Sequence, residues 1–163
     1  MPVHPIEPVY DSSSRVLILG SFPSVRSREE GFYYAHPRNR FWPLMALLFE
    51  ESRIPGTIPE KKALLLQNGI ALWDVIASCE IIGSRDDSIS QVEVNDLTVI
   101  LSVSQITRIF CNGTAAYRLY RRYLEKRTGM TAVCLPSTSP ANAASDIETL
   151  RQSWKAILTD NNI

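Results

Sequence analysis

The sequence has 163 residues, 45% of them apolar, and seventeen basic side chains against seventeen acidic ones, for a formal net charge of zero. That length fits one domain, residues 1–163, with a sizeable buried core. No run approaches the roughly 18–20 apolar residues of a membrane span, and the balanced charge argues against binding nucleic acid through bulk charge alone.

In chain order, the opening Met1-Pro2-Val3-His4-Pro5 has neither a basic n-region nor an apolar h-region, so a cytoplasmic protein without a membrane segment is expected. A first strand is predicted at 15–19, an apolar run ending at Gly20; its lack of alternation suits a parallel strand buried on both faces. A long loop follows, and a helical apolar pattern starts near Arg40 with Phe41, Leu44, Met45, Leu48 and Phe49. Pro59 and Gly69 bracket a second helix at 59–68. Strand two is predicted at 70–73, then a loop rich in Gly, Ser and Asp, and a short helix to about Val103 capped by Asn95. Strand three is predicted at 108–111, followed by Asn112-Gly113 and a helix to about Lys126. Strand four spans 131–135, and Ser145 with Glu148 forms a capping-box pattern for a last helix ending near Leu158. This alternation predicts an α/β protein, a three-layer α/β/α sandwich around a four-stranded parallel sheet. Ligands of such sheets bind at the carboxyl ends of the strands. Here those ends are Gly20-Ser21-Phe22-Pro23-Ser24, Asp74, Asn112-Gly113 and the stretch from Pro136 to Pro140.

Cys79, Cys111 and Cys134 are scattered without a CxxC pair, so neither a metal nor a cofactor is called for. The loop from Gly20 to Trp42 is richer in chemistry. It holds Phe22, Phe32, Tyr33, Tyr34 and Phe41, interleaved with arginine and asparagine. Those residue types stack a flat ring and hydrogen-bond its edge. Core packing accounts for Phe32, Phe41 and Trp42, whereas Tyr33 and Tyr34 offer both a flat face and a polar tip. Arg38 and Arg40 suit either DNA or solvent, and Arg118, Arg121, Arg122, Lys126 and Arg127 read as a solvated helix face.

Three segments carry a resemblance. Gly20-Ser21-Phe22-Pro23-Ser24 resembles the first motif of the uracil-DNA glycosylase superfamily, His36-Pro37-Arg38-Asn39-Arg40-Phe41-Trp42 is similar to the HPxNRFW segment of its mismatch-specific members, and the stretch from Leu135 to Ala143 resembles the second motif. Most of that superfamily carries Asp, Asn or Glu where this chain has Phe22, and some members carry histidine where it has Leu135. The hypoxanthine-DNA glycosylase branch resembles this chain in lacking the motif-one polar group, and assigns catalysis to the asparagine of the HPxN segment.

The resemblance implies a DNA glycosylase without AP-lyase activity, since no lysine lies in the three motifs to form a Schiff base. The expected substrate is hypoxanthine in damaged double- or single-stranded DNA, with uracil or xanthine as alternatives, and the expected form is a monomer. Asn39 would orient water through its carbonyl oxygen while its NH2 group is held elsewhere, or cap the following helix. Ser21 and Phe22 would offer backbone N–H groups to the departing base, and Tyr34 would stack on it. Asp74 would accept from a base N1–H or cap its loop, and Asn112 would read the base or serve its turn. Ser24, Arg38, Ser137, Thr138, Ser139, Pro140 and Ala141 would face DNA. His36 reads as a local structural residue. Two other classes stay open: a DNA-binding module without catalysis, and a phosphate-binding protein, which GxxxxGK[ST] or GxGxxG would have marked.

Overall fold

Apolar side chains with no polar alternation leave β1 (Val16–Gly20) and β2 (Ile70–Asp74) buried at every position. In the computed structural model, which describes residues 3–158, they pair in parallel with β5 (Arg108–Asn112) and β6 (Ala132–Leu135) in the order β2-β1-β5-β6. The chain leaves β1 in one direction to reach β2, then crosses to β5 on the other side. The crevice between the carboxyl ends of β1 and β5 is therefore the topological switch point. Register brings the ends level: Gly20 lies beside Asp74, Leu19 beside Cys111, and Asn112 beside Leu135.

Helices cover the sheet. Between β1 and β2 run α1 (Val25–Glu30), α2 (Phe41–Leu48) and α3 (Ile58–Gln67). Between β2 and β5 lie a two-stranded antiparallel sheet, β3 (Ile76–Glu80) with β4 (Ser90–Val94), and the short α4 (Thr98–Leu101). α5 (Thr114–Tyr123) and α6 (Glu125–Thr128) follow β5, and α7 (Ile147–Trp154) closes the described chain against α2, with the Phe41 and Trp154 rings edge to face at 6.1 Å. Right-handed crossovers in opposite directions put helices on opposite faces of one sheet. The result is the expected α/β/α sandwich.

Several local expectations change. The loop after strand two is a β-hairpin, and only its connector, residues 81–89, is rich in Gly, Ser and Asp. The long aromatic loop contains α1, capped by Ser24, whose Oγ accepts from Ser27 N–H. Asn95 caps no helix: it is buried and donates through Nδ2 to the carbonyls of Asp74 and Ile76, while Asp96 Oδ1 accepts from Thr98 N–H. Asp146, not Ser145, caps α7 through Thr149 N–H at 2.8 Å, and the Ser145 carbonyl is held by Arg40. The helix expected to reach Lys126 breaks at buried Leu124.

An N-terminal arm crosses the edge of β2. Val9 bridges Leu72 and Val3 bridges Ser78, both antiparallel, with Ile6 and Val9 buried. The arm covers backbone groups that an edge strand would otherwise expose.

Candidate active site at the strand ends

Gly20 ends β1 where no side chain fits. A Cβ there would stand 2.3 Å from Asp74 Oδ1 and 3.0 Å from the Tyr34 hydroxyl. Glycine thus lets a carboxylate and a phenol converge on one backbone atom. Beyond it, the backbone N–H groups of Ser21 and Phe22 have no protein acceptor among the described residues. Ser21 Oγ instead donates to Asp86 Oδ1 at 2.8 Å, drawing the hairpin connector over the site. Although Asp86 is exposed overall, partial desolvation holds its carboxyl above the ordinary range, with the Ser21 hydrogen bond opposing that shift. Alongside runs a groove between Asp86, Asp87 and Ile89 of the connector and Ala115, Arg118 and Arg122 of α5.

Tyr34 is the most constrained residue here. Its φ of 55° lies in the left-handed region, which a bulky side chain rarely adopts. One face of its ring stacks on Phe41 at a centroid distance of 4.2 Å. Its hydroxyl is buried with no hydrogen-bond partner among the described residues. Burial first, and the Asp74 charge second, push its ionisation far above the ordinary tyrosine range; nearby Asn112 opposes the shift without closing a hydrogen bond. The phenol therefore keeps its proton and remains a donor without an acceptor.

Asn39 sits half-buried just before α2, with its Oδ1 accepting from Phe41 N–H at 2.9 Å. That bond identifies the oxygen, since only the amide carbonyl accepts. The expected arrangement, with the NH2 group held and the oxygen free, is reversed: Nδ2 has no partner among the described residues, and Oδ1 keeps one lone pair. His36 serves the same turn, its carbonyl accepting from Asn39 N–H and its Nδ1 from Arg38 N–H. Arg38 itself is exposed.

Asp74 is buried, and its Oδ2 lies 2.8 Å from His4 Nε2 of the arm. Nothing in the local sequence flags His4, because its partner is seventy positions away. Asp86 was hidden in the same way by the hairpin.

Across the crevice the polar groups satisfy one another. Asn112 Nδ2 donates to Thr138 Oγ1 and its Oδ1 accepts from Thr138 N–H, both at 3.0 Å. Each of these two Asn112 atoms keeps one further bonding position, a second N–H on Nδ2 and a second lone pair on Oδ1. Thr138 is fully buried, so its hydroxyl touches no phosphate, which corrects the expectation that it faces DNA. The loop around it is tied internally, with Ser137 Oγ accepting from Ser139 N–H, Ser139 Oγ from Ala141 N–H, and Asn142 Nδ2 donating to the Ser137 carbonyl. Arg40 clamps the whole: its guanidinium donates to the carbonyls of Ser139, Asn142 and Ser145. Pro140 and Ala141 stand exposed at the tip. Ser24 lies at the rim but its hydroxyl is engaged in the α1 cap. Among the described residues no cluster of three or more His, Cys, Asp or Glu side chains could hold a metal ion.

Comparison with known proteins finds relatives over most of the chain. The family model described as "Uracil DNA glycosylase superfamily" matches residues 7–158. A Methanosarcina acetivorans protein named hypoxanthine DNA glycosylase is 33% identical over 150 residues, covering 91% of this chain and 93% of that protein. One of the same name from Methanosarcina barkeri is 29% identical over 148 residues, covering 90% and 92%. The solution NMR structure of a candidate uracil DNA glycosylase from Methanosarcina acetivorans superposes with a TM-score of 0.79 at 31% identity, covering 93% of each chain. The chain belongs to the uracil DNA glycosylase superfamily.

Proposed function

From that membership we propose that the chain is a monofunctional DNA glycosylase which hydrolyses the N-glycosidic bond of a deaminated base turned out of DNA, hypoxanthine foremost. The observation that carries this reading is a set of unspent hydrogen-bonding groups, with the Ser21 and Phe22 N–H groups, the Tyr34 hydroxyl and Asp74 Oδ1 around Gly20, and Asn39 just before α2. The names of the relatives support the choice of base.

Each group has a task in the reaction. Cleavage builds positive charge on the sugar and negative charge on the departing base. Preorganised N–H donors stabilise that developing anion whatever side chains carry them, so Phe22 does not disqualify the site. The face of Tyr34 opposite Phe41 stacks on the extruded ring. Deamination turns a ring-nitrogen lone pair into an N–H, and an acceptor such as Asp74 Oδ1 meets that N–H favourably while repelling the lone pair of adenine or cytosine. The second lone pair of Asn39 Oδ1 accepts a hydrogen bond from the attacking water and aims its oxygen at the sugar carbon, and the proton that water sheds balances the negative charge of the departing base. Asparagine does not accept that proton outright; it positions the nucleophile.

Outside the crevice, Arg38, Ser137, Ser139, Pro140 and Ala141 face DNA, and the protein acts as a cytoplasmic monomer. Single-turnover release of base from labelled duplexes containing deoxyinosine, uracil or xanthine tests the reading. Release from deoxyinosine that is lost in Asn39→Ala is expected. Release from uracil alone would move the chain to another branch, and binding without release would leave a DNA-binding module. Absence of a borohydride-trapped adduct is the expected sign that no lyase step occurs.

A further inference from the structure

We propose that His4 is a positioning residue for base selection, acting through Asp74; the inference rests on the glycosylase reading above. Ile6 N–H donates to His4 Nδ1 at 3.3 Å, so that nitrogen carries a lone pair. The ring proton is then on Nε2, which donates to Asp74 Oδ2 at 2.8 Å. The pair is almost wholly shielded, with 3% and 4% of the two side chains exposed.

Occupying Oδ2 has a directional effect. It fixes the carboxylate rotamer, so that Oδ1 stays against Gly20 beside the Tyr34 hydroxyl. With Oδ2 taken up by the imidazole N–H, Oδ1 is the oxygen left to accept from a ligand. A base with an N–H at that point is bound, and one with a lone pair is turned away. Packing holds the imidazole in this pose: Phe22 meets it edge-on at a centroid distance of 6.0 Å, and Tyr33 tilts against it at 6.1 Å. The apolar Phe22 thus forms one wall of a socket for His4.

The arm has other anchors, which separate the imidazole from the fold. His4 N–H donates to the Ala77 carbonyl at 2.6 Å, and the Tyr33 hydroxyl donates to the Glu7 carbonyl at 2.8 Å. Replacing the ring leaves both bonds in place.

The test compares release of hypoxanthine with release of unsubstituted purine, which has a lone pair in place of N1–H and adds no bulk. Wild type is expected to prefer hypoxanthine. His4→Ala lowers hypoxanthine release about 10- to 100-fold, the consequence of a lost hydrogen bond to a buried charged group. Purine release changes less than about threefold, so the preference narrows. Asp74→Asn narrows it likewise, and His4→Gln, which retains an N–H donor of similar reach, restores most of it. Should alanine unfold the arm, His4→Phe fills the same space without a donor and is read in the same way. Parallel loss on both bases, an unchanged preference in the donor-free variants, or a wild type indifferent between the bases would overturn the role of His4. A wild type that releases no hypoxanthine at all would instead overturn the glycosylase reading beneath it.

Discussion

The two walls of the crevice are built on opposite terms. On the β6 side, Asn112, Thr138, Ser137, Asn142 and Arg40 use their hydrogen-bonding groups on one another, and Trp154 Nε1 adds a bond to the Pro136 carbonyl from beneath. On the β2 side, Tyr34 holds a left-handed backbone and an unpartnered hydroxyl, and the Ser21 and Phe22 N–H groups face no acceptor among the described residues. A buried polar group without a partner costs about 1–3 kcal/mol, and a left-handed bulky residue costs a similar amount. A fold tolerates both at one place when something else completes them. The satisfied wall is a frame that holds loop geometry, and the unsatisfied wall is the one to which the proposed function assigns the base.

That contrast can be broken from either side. The largest effect should come from Asn39→Ala, which lowers single-turnover base release about 100- to 1000-fold, as loss of one preorganised polar group does elsewhere, while damaged-DNA affinity measured by anisotropy stays within about threefold. Arg40→Lys removes a planar fork that reaches three carbonyls; a single ammonium cannot match it. Denaturant unfolding should show a loss of about 2–3 kcal/mol, with weaker DNA binding as the second-motif loop loosens. Asn112→Ala deletes both bonds to Thr138 and should cost about 1–2 kcal/mol in the same assay. Its effect on base release should be small compared with Asn39→Ala; an equal loss would mean that the satisfied wall also does chemistry. Tyr34→Phe goes the other way. Removing an orphaned hydroxyl should stabilise the protein by about 1 kcal/mol while slowing base release, and a variant both less stable and fully active would erase the distinction between the walls.

Much of the frame could be read from the sequence. The unbroken apolar runs of β1 and β2 signal strands buried on both faces, and the order of elements follows from them. Gly20 and Asp74 were legible as strand ends, and Asn39 and Tyr34 through the resemblance of the aromatic loop to a known family. The hairpin escaped because the exposed, alternating residues of β4 are too polar to stand out from its Gly- and Asp-rich connector. The true partners of Asn95, Arg40 and His4 escaped for a different reason. Each bonds across the fold, to Asp74 and Ile76, to Ser139 and beyond, or to Asp74, and no local pattern encodes contacts between distant segments. Asn112 is of the same kind: its position after strand three left base reading and a turn role both open, and its partner Thr138 lies 26 residues on.

The order of strands in the sheet also bears on how the chain is made. β1 occupies the interior, and the strand that covers its second edge starts about ninety residues later. During synthesis, Val16 to Gly20 emerges long before β5 exists, an apolar ribbon with one bare edge of the kind that recruits other chains. Closing that edge draws together segments far apart along the polymer, a slow event with a large loop to order. Recovery of functional protein from a cell should therefore depend on the pace of translation and on chaperone supply more than on the strength of the finished core.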